Sequence, residues 1–183
     1  MNRPAHPPKL LLLLLTALLL PAGTAEAAFT IRTSEDSVTR IGSFRIARDA
    51  SIGAAVRAFG KSSSRKLEGE GCQVDWRRLR LRIYFANFGA YPAGLTTCSS
   101  SVGLAQSFTV RGRGFRTWEG LRPGARSSAV RERHPNARFR RGTWWLRTAT
   151  SRFGDGSAFP VAEAIVSGGR VRVLRGWIGA AGD

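Results

Sequence analysis

Histidine and cysteine are scarce in this 183-residue chain, which contains two of each. Catalysis at neutral pH commonly uses histidine as general acid or base, and zinc sites are built from clusters of histidine and cysteine. The sequence contains no such cluster, and it has no Gly-x-Ser-x-Gly elbow, Walker loop or calcium-binding loop. We therefore expect no metal, no cofactor and no enzymatic activity.

A long apolar run is also missing. The longest, Leu10 to Leu20, has 11 residues, whereas a membrane-spanning helix needs about 20. Arg3 and Lys9 precede this run, and Ala25-Glu26-Ala27 follows it with small residues at the positions that signal peptidase requires. The sequence predicts a cleavable signal peptide over residues 1–27, with a retained anchor as the alternative. The rest of the chain would then be secreted or extracytoplasmic, in the cell envelope, with no membrane span.

The two cysteines are Cys72 and Cys98, separated by 26 positions. In an exported chain such a pair is typically bonded, because extracytoplasmic compartments are oxidising. We predict a disulfide between them, and the alternative is a pair of buried free thiols.

Acidic residues are few, with 12 Asp and Glu against 29 Lys and Arg and a formal net charge of +17. All but three of the basic residues are arginine. A positive charge of this size attracts polyanions over a long range. The alternative is a compositional bias, since a G+C-rich genome produces arginine together with the abundant alanine and glycine of this chain.

One amphipathic helix is predicted over Ser51 to Phe59. Apolar side chains recur there at helical spacing, at Ile52, Ala55, Val56 and Phe59. Asp49 or Ser51 can cap its start, and Gly60 can end it in a left-handed conformation.

The clearest strand is predicted around residues 78–85. Leu79, Leu81, Ile83 and Phe85 alternate there with Arg78, Arg80, Arg82 and Tyr84. Because successive side chains of a strand point to opposite faces, the apolar set faces the core and the arginines form a row on the other face. Gly71 to Trp76 is predicted as the hairpin partner of this strand and Leu104 to Val110 as a third strand.

The pattern then starts again, because Gly124 to Val130 is similar to Ala50 to Val56 at an offset of 74 positions. Strand-like runs follow at Thr143–Thr150, Phe159–Val166 and Arg170–Trp177. We therefore predict an α+β domain of two imperfect repeats, each a short helix packed on antiparallel β-strands. The lead-in segment, residues 28–41, contains an edge strand at Phe29 to Arg32. The first repeat spans residues 42–115 and the second 116–183, with one compact domain over 42–177.

The run from Gly120 to Val130, which ends at His134-Pro135 and is followed by Trp144-Trp145-Leu146, carries a family resemblance. It resembles the segment that leads into the helix in the beta-lactamase-inhibitor-protein-like and outer-membrane-lipoprotein-like exported domains. The resemblance implies one or two copies of a helical segment on an antiparallel sheet, and a non-enzymatic protein-binding role. That inhibitor has a disulfide in each repeat and lacks the heavy basic charge seen here, so no inhibitory residue is carried over.

The predicted binding face combines two rows of arginines with two aromatic residues. Its members are Arg78, Arg80, Arg82, Tyr84, Trp145, Arg170 and Arg172. Guanidinium groups about 7 Å apart bind successive phosphates or carboxylates, and Tyr84 or Trp145 adds a stacking surface. We expect a non-catalytic binding protein whose partner is an extracytoplasmic acidic protein or an anionic envelope polymer, with nucleic acid the less favoured polyanion. The alternative interpretation is a strand face that charge keeps soluble and free of edge pairing.

A second function class also has to be considered, a small envelope-associated hydrolase. It requires a deep pocket that holds Glu132 or Glu163 beside His134. By itself His134, next to Pro135, is typical of a residue at a helix C-terminus that faces the helix dipole.

Overall fold

The computed structural model describes residues 29–46, 48–86, 96, 98–101, 103–150 and 156–178. The predicted signal peptide, residues 1–27, lies outside the described residues. The helices are α1 (Ile52–Phe59) and α2 (Ala129–Arg133). The strands are β1 (Phe29–Thr33), β2 (Val38–Ile41), β3 (Phe44–Arg45), β4 (Ser64–Glu68), β5 (Gly71–Trp76), β6 (Leu81–Ala86), β7 (Leu104–Val110), β8 (Phe115–Thr117), β9 (Arg138–Arg140), β10 (Thr143–Thr150), β11 (Ala158–Ser167) and β12 (Arg170–Trp177).

The predicted α+β class is wrong, because the protein is mostly β, with 51% of the described residues in strands and 10% in helices. The helices, of 8 and 5 residues, are too short to cover a sheet. A second sheet also contributes to the core. The sequence did not reveal this sheet, because one of its pairings joins distant segments. β1 pairs in parallel with β8, with Phe29 opposite Phe115.

The strands form a four-stranded sheet of order β3-β2-β1-β8 and an eight-stranded sheet of order β4-β5-β6-β7-β12-β11-β10-β9. The larger sheet consists of two four-stranded meanders, β4 to β7 and β9 to β12, that join where β7 pairs antiparallel with β12. β1 lies between β2 and β8, so it is an inner strand and not the predicted edge strand.

The predicted helix over Ser51 to Phe59 is confirmed as α1. Ser51 is the N-cap, and its hydroxyl accepts a hydrogen bond of 3.2 Å from the amide of Ala54. Gly60, at φ 82°, ends the helix and donates its N–H to the carbonyl of Val56.

The second predicted helix is shorter than its sequence pattern indicates. It begins at Ala129, and the side chain of Ser128 makes no capping hydrogen bond. Upstream, the backbone pairs with the start of β12 instead: Gly124 donates to the carbonyl of Val171, and Val171 donates to that of Ala125. Tertiary hydrogen bonds therefore outcompete the first turn of this helix.

The alternation in residues 81–85 is confirmed as β6, since Leu81, Ile83 and Phe85 are buried whereas Arg82 is exposed. The strand begins later than predicted. Residues 77–80 form the turn between β5 and β6, and Arg80 there has a φ of 53°.

Aromatic side chains connect both sheets with α1. The ring of Phe29 stacks on Phe115 at 4.9 Å and meets Phe59 of α1 edge-on at 5.7 Å. Phe59 in turn lies 5.8 Å from Phe44 and 5.4 Å from Trp76, which belongs to the large sheet. Such pairs add about 0.5–1.5 kcal/mol each beyond the burial of their area. One continuous core results, and Ile31, Val38 and Ile41 are buried in it.

The predicted disulfide between Cys72 and Cys98 is confirmed and closes a loop with a sequence separation of 26. It ties β5 to the segment that precedes β7. Within the described residues, neither helix is long and apolar enough to span a membrane.

Candidate functional site

The structure separates the predicted arginine row into two regions. Arg82 and Tyr84 project from the face of the eight-stranded sheet that points away from the core, here called the outer face. Arg78 and Arg80 lie in the turn before β6, so the expected row of three guanidinium groups on one strand does not form. The positive φ of Arg80 shows where the alternation stops.

Two arginines of the outer face, Arg82 and Arg175, are engaged by carboxylates. Arg82 Nε lies 2.8 Å from Asp75 Oδ1 on the neighbouring strand. Arg175 pairs in the same way with Glu163, whose other oxygen accepts a hydrogen bond of 2.8 Å from Thr143. Charges compensated in this way attract an additional anion weakly, and we therefore do not place the binding surface on this face.

Trp145 also lies on the outer face, opposite Glu163 in the neighbouring strand. Its side chain is only 5% exposed, and the guanidinium carbon of Arg140 lies 5.6 Å from the ring centroid. The ring is therefore covered by a cation–π contact, and it does not offer the open stacking surface that we expected. The hydroxyl of Tyr84 donates to the carbonyl of Glu68 at 3.2 Å.

Arg170 and Arg172 lie at the start of β12, and the structure brings them to the same end of the large sheet as the turn that contains Arg78 and Arg80. The register defines this end: Leu81 and Leu174 are both opposite Val110, so the residues before them extend in the same direction. A bulge around Arg172 interrupts the expected alternation. Arg170 Nη1 donates to the carbonyl of Gly124 at 2.9 Å, and Arg172 Nε donates to that of Ser167 at 3.0 Å.

Arg111 and Arg113 lie between the turn at residues 77–80 and the start of β12. Neither residue was part of the predicted binding face. The amide of Arg111 donates to the carbonyl of Arg80 at 2.9 Å. A methyl group on Gly112 would lie 2.1 Å from the carbonyl oxygen of Leu79, so glycine is required for this close approach of the two segments. The sequence signal for these residues is the Arg-Gly-Arg-Gly run at 111–114, which directly follows the strand predicted over Leu104 to Val110.

We call this surface the arginine end. It is defined by Arg78, Arg80, Arg111, Arg113, Arg170 and Arg172, all of which are exposed. In the described part of the chain, none of them forms an ion pair with a carboxylate. The arginine end therefore presents uncompensated positive charge, in contrast to the outer face.

A separate cavity of about 780 Å³ lies beside α2 and includes Glu119, Glu132, His134 and Arg147 in its lining. Glu163 does not line it. His134 is 4% exposed, and its Nε2 lies 2.8 Å from the hydroxyl of Thr117, which is also buried. None of the hydrogen bonds found among the described residues joins a glutamate to His134.

Burial, and secondarily the positive charge of Arg147, lowers the pKa of His134 from 6.5 to about 4. The ring is therefore neutral near pH 7. Thr117 Oγ1 already accepts the amide of Leu121 at 3.1 Å, so we assign its hydroxyl as the donor to Nε2. His134 thus holds the turn at residues 117–121 in place.

Within the described residues, no group of three or more His, Cys, Asp or Glu side chains is arranged to hold a metal ion. No family model matches the chain, and neither a curated protein nor a solved structure matches it. The resemblance to beta-lactamase-inhibitor-protein-like and outer-membrane-lipoprotein-like domains stays a prediction.

Proposed function

We propose that this protein is an exported, non-catalytic binding protein that holds an anionic polymer or an acidic protein of the cell envelope on its arginine end. One observation carries the proposal. Three chain segments each contribute two arginines to the same end of the large sheet, and none of these six arginines pairs with a carboxylate among the described residues. The disulfide supports an oxidising location.

The arrangement suits a polyanion for a physical reason. Guanidinium groups bind phosphate and carboxylate oxygens in pairs, and neighbouring unpaired arginines repel one another until an anion lies between them. Binding to a chain of repeated negative charges relieves this repulsion at several positions at once. It also releases counterions, which makes the affinity strongly dependent on salt.

The experiment measures binding of the protein to polyphosphate and to polyglutamate at 50 and 300 mM NaCl, with neutral dextran as the negative control. We expect the dissociation constant for at least one polyanion to rise more than tenfold at the higher salt concentration. Binding that does not change with salt, or no binding to either polyanion, would refute the proposal. The two polyanions also separate phosphate-bearing partners from acidic proteins.

A matched pair of variants localises the site. Arg78→Gln/Arg111→Gln removes two charges from the arginine end, and Arg32→Gln/Arg45→Gln removes two exposed charges from the four-stranded sheet. We expect the first variant to weaken polyanion binding at least fivefold and the second by less than twofold. Equal effects would show that net charge alone is responsible.

The alternative function is a small hydrolase of an envelope substrate, because Glu132 and His134 line one cavity. A histidine whose pKa is about 4 and whose Nε2 contacts Thr117 is a poor general base near pH 7, which is why we prefer the binding function. Hydrolysis of purified cell-wall glycan or peptide that is lost in both Glu132→Gln and His134→Gln would reverse this preference.

A further inference from the structure

A cavity of about 460 Å³ lies at the arginine end, and four arginines line it. Two of them, Arg113 and Arg170, also belong to the arginine end. The four come from four segments of the chain: Arg113 precedes β8, Arg122 lies in the loop before α2, Arg133 ends α2, and Arg170 begins β12. None of the described residues that line this cavity is acidic. We call these four residues the arginine cleft.

The floor of the cleft is held by backbone pairing. Ser127 donates to the carbonyl of Gly169 at 2.9 Å, in addition to the bonds between Gly124, Ala125 and Val171 described above. Leu121 is buried beneath the cleft. Because packing and hydrogen bonds fix these segments, the arginines are brought together before any ligand arrives.

Two glycines of the loop before α2 lie beside guanidinium groups. Gly124 has a φ of +93°, and a Cβ there would lie 3.3 Å from Nε of Arg113. Gly120, at +83°, leaves its Cβ position 3.6 Å from Nη1 of Arg133. Arg170 also reaches this loop, since its Nη1 donates to the carbonyl of Gly124 while its other N–H groups remain available for a ligand.

We infer that the arginine cleft binds one tetrahedral oxyanion, a phosphate or sulfate group. This inference rests on the proposed function and names the chemistry of its anchoring subsite. Four guanidinium groups from different directions supply more donors than a planar carboxylate can accept with two oxygens and one charge. A phosphate or sulfate group has up to four oxygens in different directions. The cavity is in the size range of small-molecule sites, so it also accommodates part of the molecule that carries the group.

The test measures binding of inorganic phosphate, inorganic sulfate and acetate to the full chain by calorimetry, with ionic strength held constant by NaCl. We expect phosphate or sulfate to bind at least tenfold more tightly than acetate. Equal affinities for all three anions would overturn the inference. They would leave the proposed function intact if polyglutamate or polyphosphate still bound at the arginine end.

Arg122→Gln/Arg133→Gln is the informative variant, because neither side chain makes a hydrogen bond or ion pair to another described residue. We expect it to weaken phosphate binding at least tenfold while the melting temperature is unchanged or higher, since the repulsion between arginines is reduced. Arg32→Gln/Arg45→Gln is the matched control and should change phosphate binding less than twofold. Equal losses in the two variants would show that the cleft is not the site.

The source of the oxyanion is distinguished by comparing phosphate with short polyphosphate. A polymer that also reaches the rest of the arginine end should bind more tightly than free phosphate, and Arg78→Gln/Arg111→Gln should remove that gain. If phosphate binds in the cleft and no polyanion binds at all, the cleft is confirmed and the proposed function is refuted.

Discussion

Lowering the pH should destabilise this protein in part through the titration of one buried residue, His134. The pKa of its side chain is lowered from 6.5 to about 4 in the folded protein, first by burial and then by the charge of Arg147. Well above pH 6.5 the ring is neutral in both the folded and the unfolded chain, so His134 adds no pH dependence to the free energy of unfolding there. As the pH falls from 6.5 towards 4, the unfolded chain takes up a proton that the folded protein does not. The free energy of unfolding therefore decreases over this interval.

The magnitude follows from the two pKa values. One pKa unit corresponds to about 1.36 kcal/mol, and integration between pH 7.5 and 4.5 gives a loss of about 2.5 kcal/mol attributable to His134. Below the folded-state pKa both states are protonated, and this contribution stops changing. A loss of this size is a substantial part of the stability of a typical small domain.

Urea unfolding followed by tryptophan fluorescence at several pH values measures this effect. His134→Gln is the matched variant, because glutamine does not titrate and its amide oxygen can accept the hydrogen bond from Thr117. We expect the wild type to lose about 2.5 kcal/mol more than the variant between pH 7.5 and 4.5. Parallel stability curves for the two proteins would refute the reasoning, since carboxylates titrate in both.

Three further substitutions test the packing that positions the two surfaces. Cys72→Ala/Cys98→Ala should lower the free energy of unfolding by about 3.5 kcal/mol in urea titrations, as loop entropy predicts for a separation of 26 residues; unchanged stability would contradict this. Glu163→Ala should lower the free energy of unfolding by about 2 kcal/mol in the same titrations, because Thr143 and Arg175 lose the carboxylate that both contact. Glu163→Gln should lower it by less. Gly112→Ala should lower the free energy of unfolding by about 2 kcal/mol in thermal melting, because its Cβ would lie 2.1 Å from the carbonyl oxygen of Leu79. An unchanged free energy of unfolding would exclude this close contact.

Local patterns predicted the individual elements well. The helical spacing of Ile52 and Ala55 with Ser51 as cap is sufficient to specify α1, and the alternation of Leu81, Ile83 and Phe85 is sufficient to specify β6. Strands β11 and β12 were predicted from the strand-like runs on either side of Gly168 and Gly169. In each case the residues that decide the conformation are neighbours in sequence, so no distant partner is needed.

The arginine end and the arginine cleft were only partly predictable, because they depend on contacts between different segments of the chain. Arg82 and Arg78 are four residues apart in sequence, yet one faces Asp75 on the sheet and the other lies in a turn. Which arginines are neutralised depends on the register between strands, and no pattern in one segment contains that register. Arg113 and Arg122 join the cleft because loops converge there, although neither stands out in its own segment.

The sequence by itself determined the charge, the disulfide partners and most of the strands, because these depend on composition or on spacing within a short segment. Only the tertiary structure decided the mostly β architecture and the position of the uncompensated arginines. Both depend on pairings between distant segments, such as β1 with β8 and Gly124 with Val171, whose hydrogen bonds form between backbone groups that every residue carries. Side-chain identity therefore specifies where a strand can exist, and packing of the whole chain specifies which strand lies beside it.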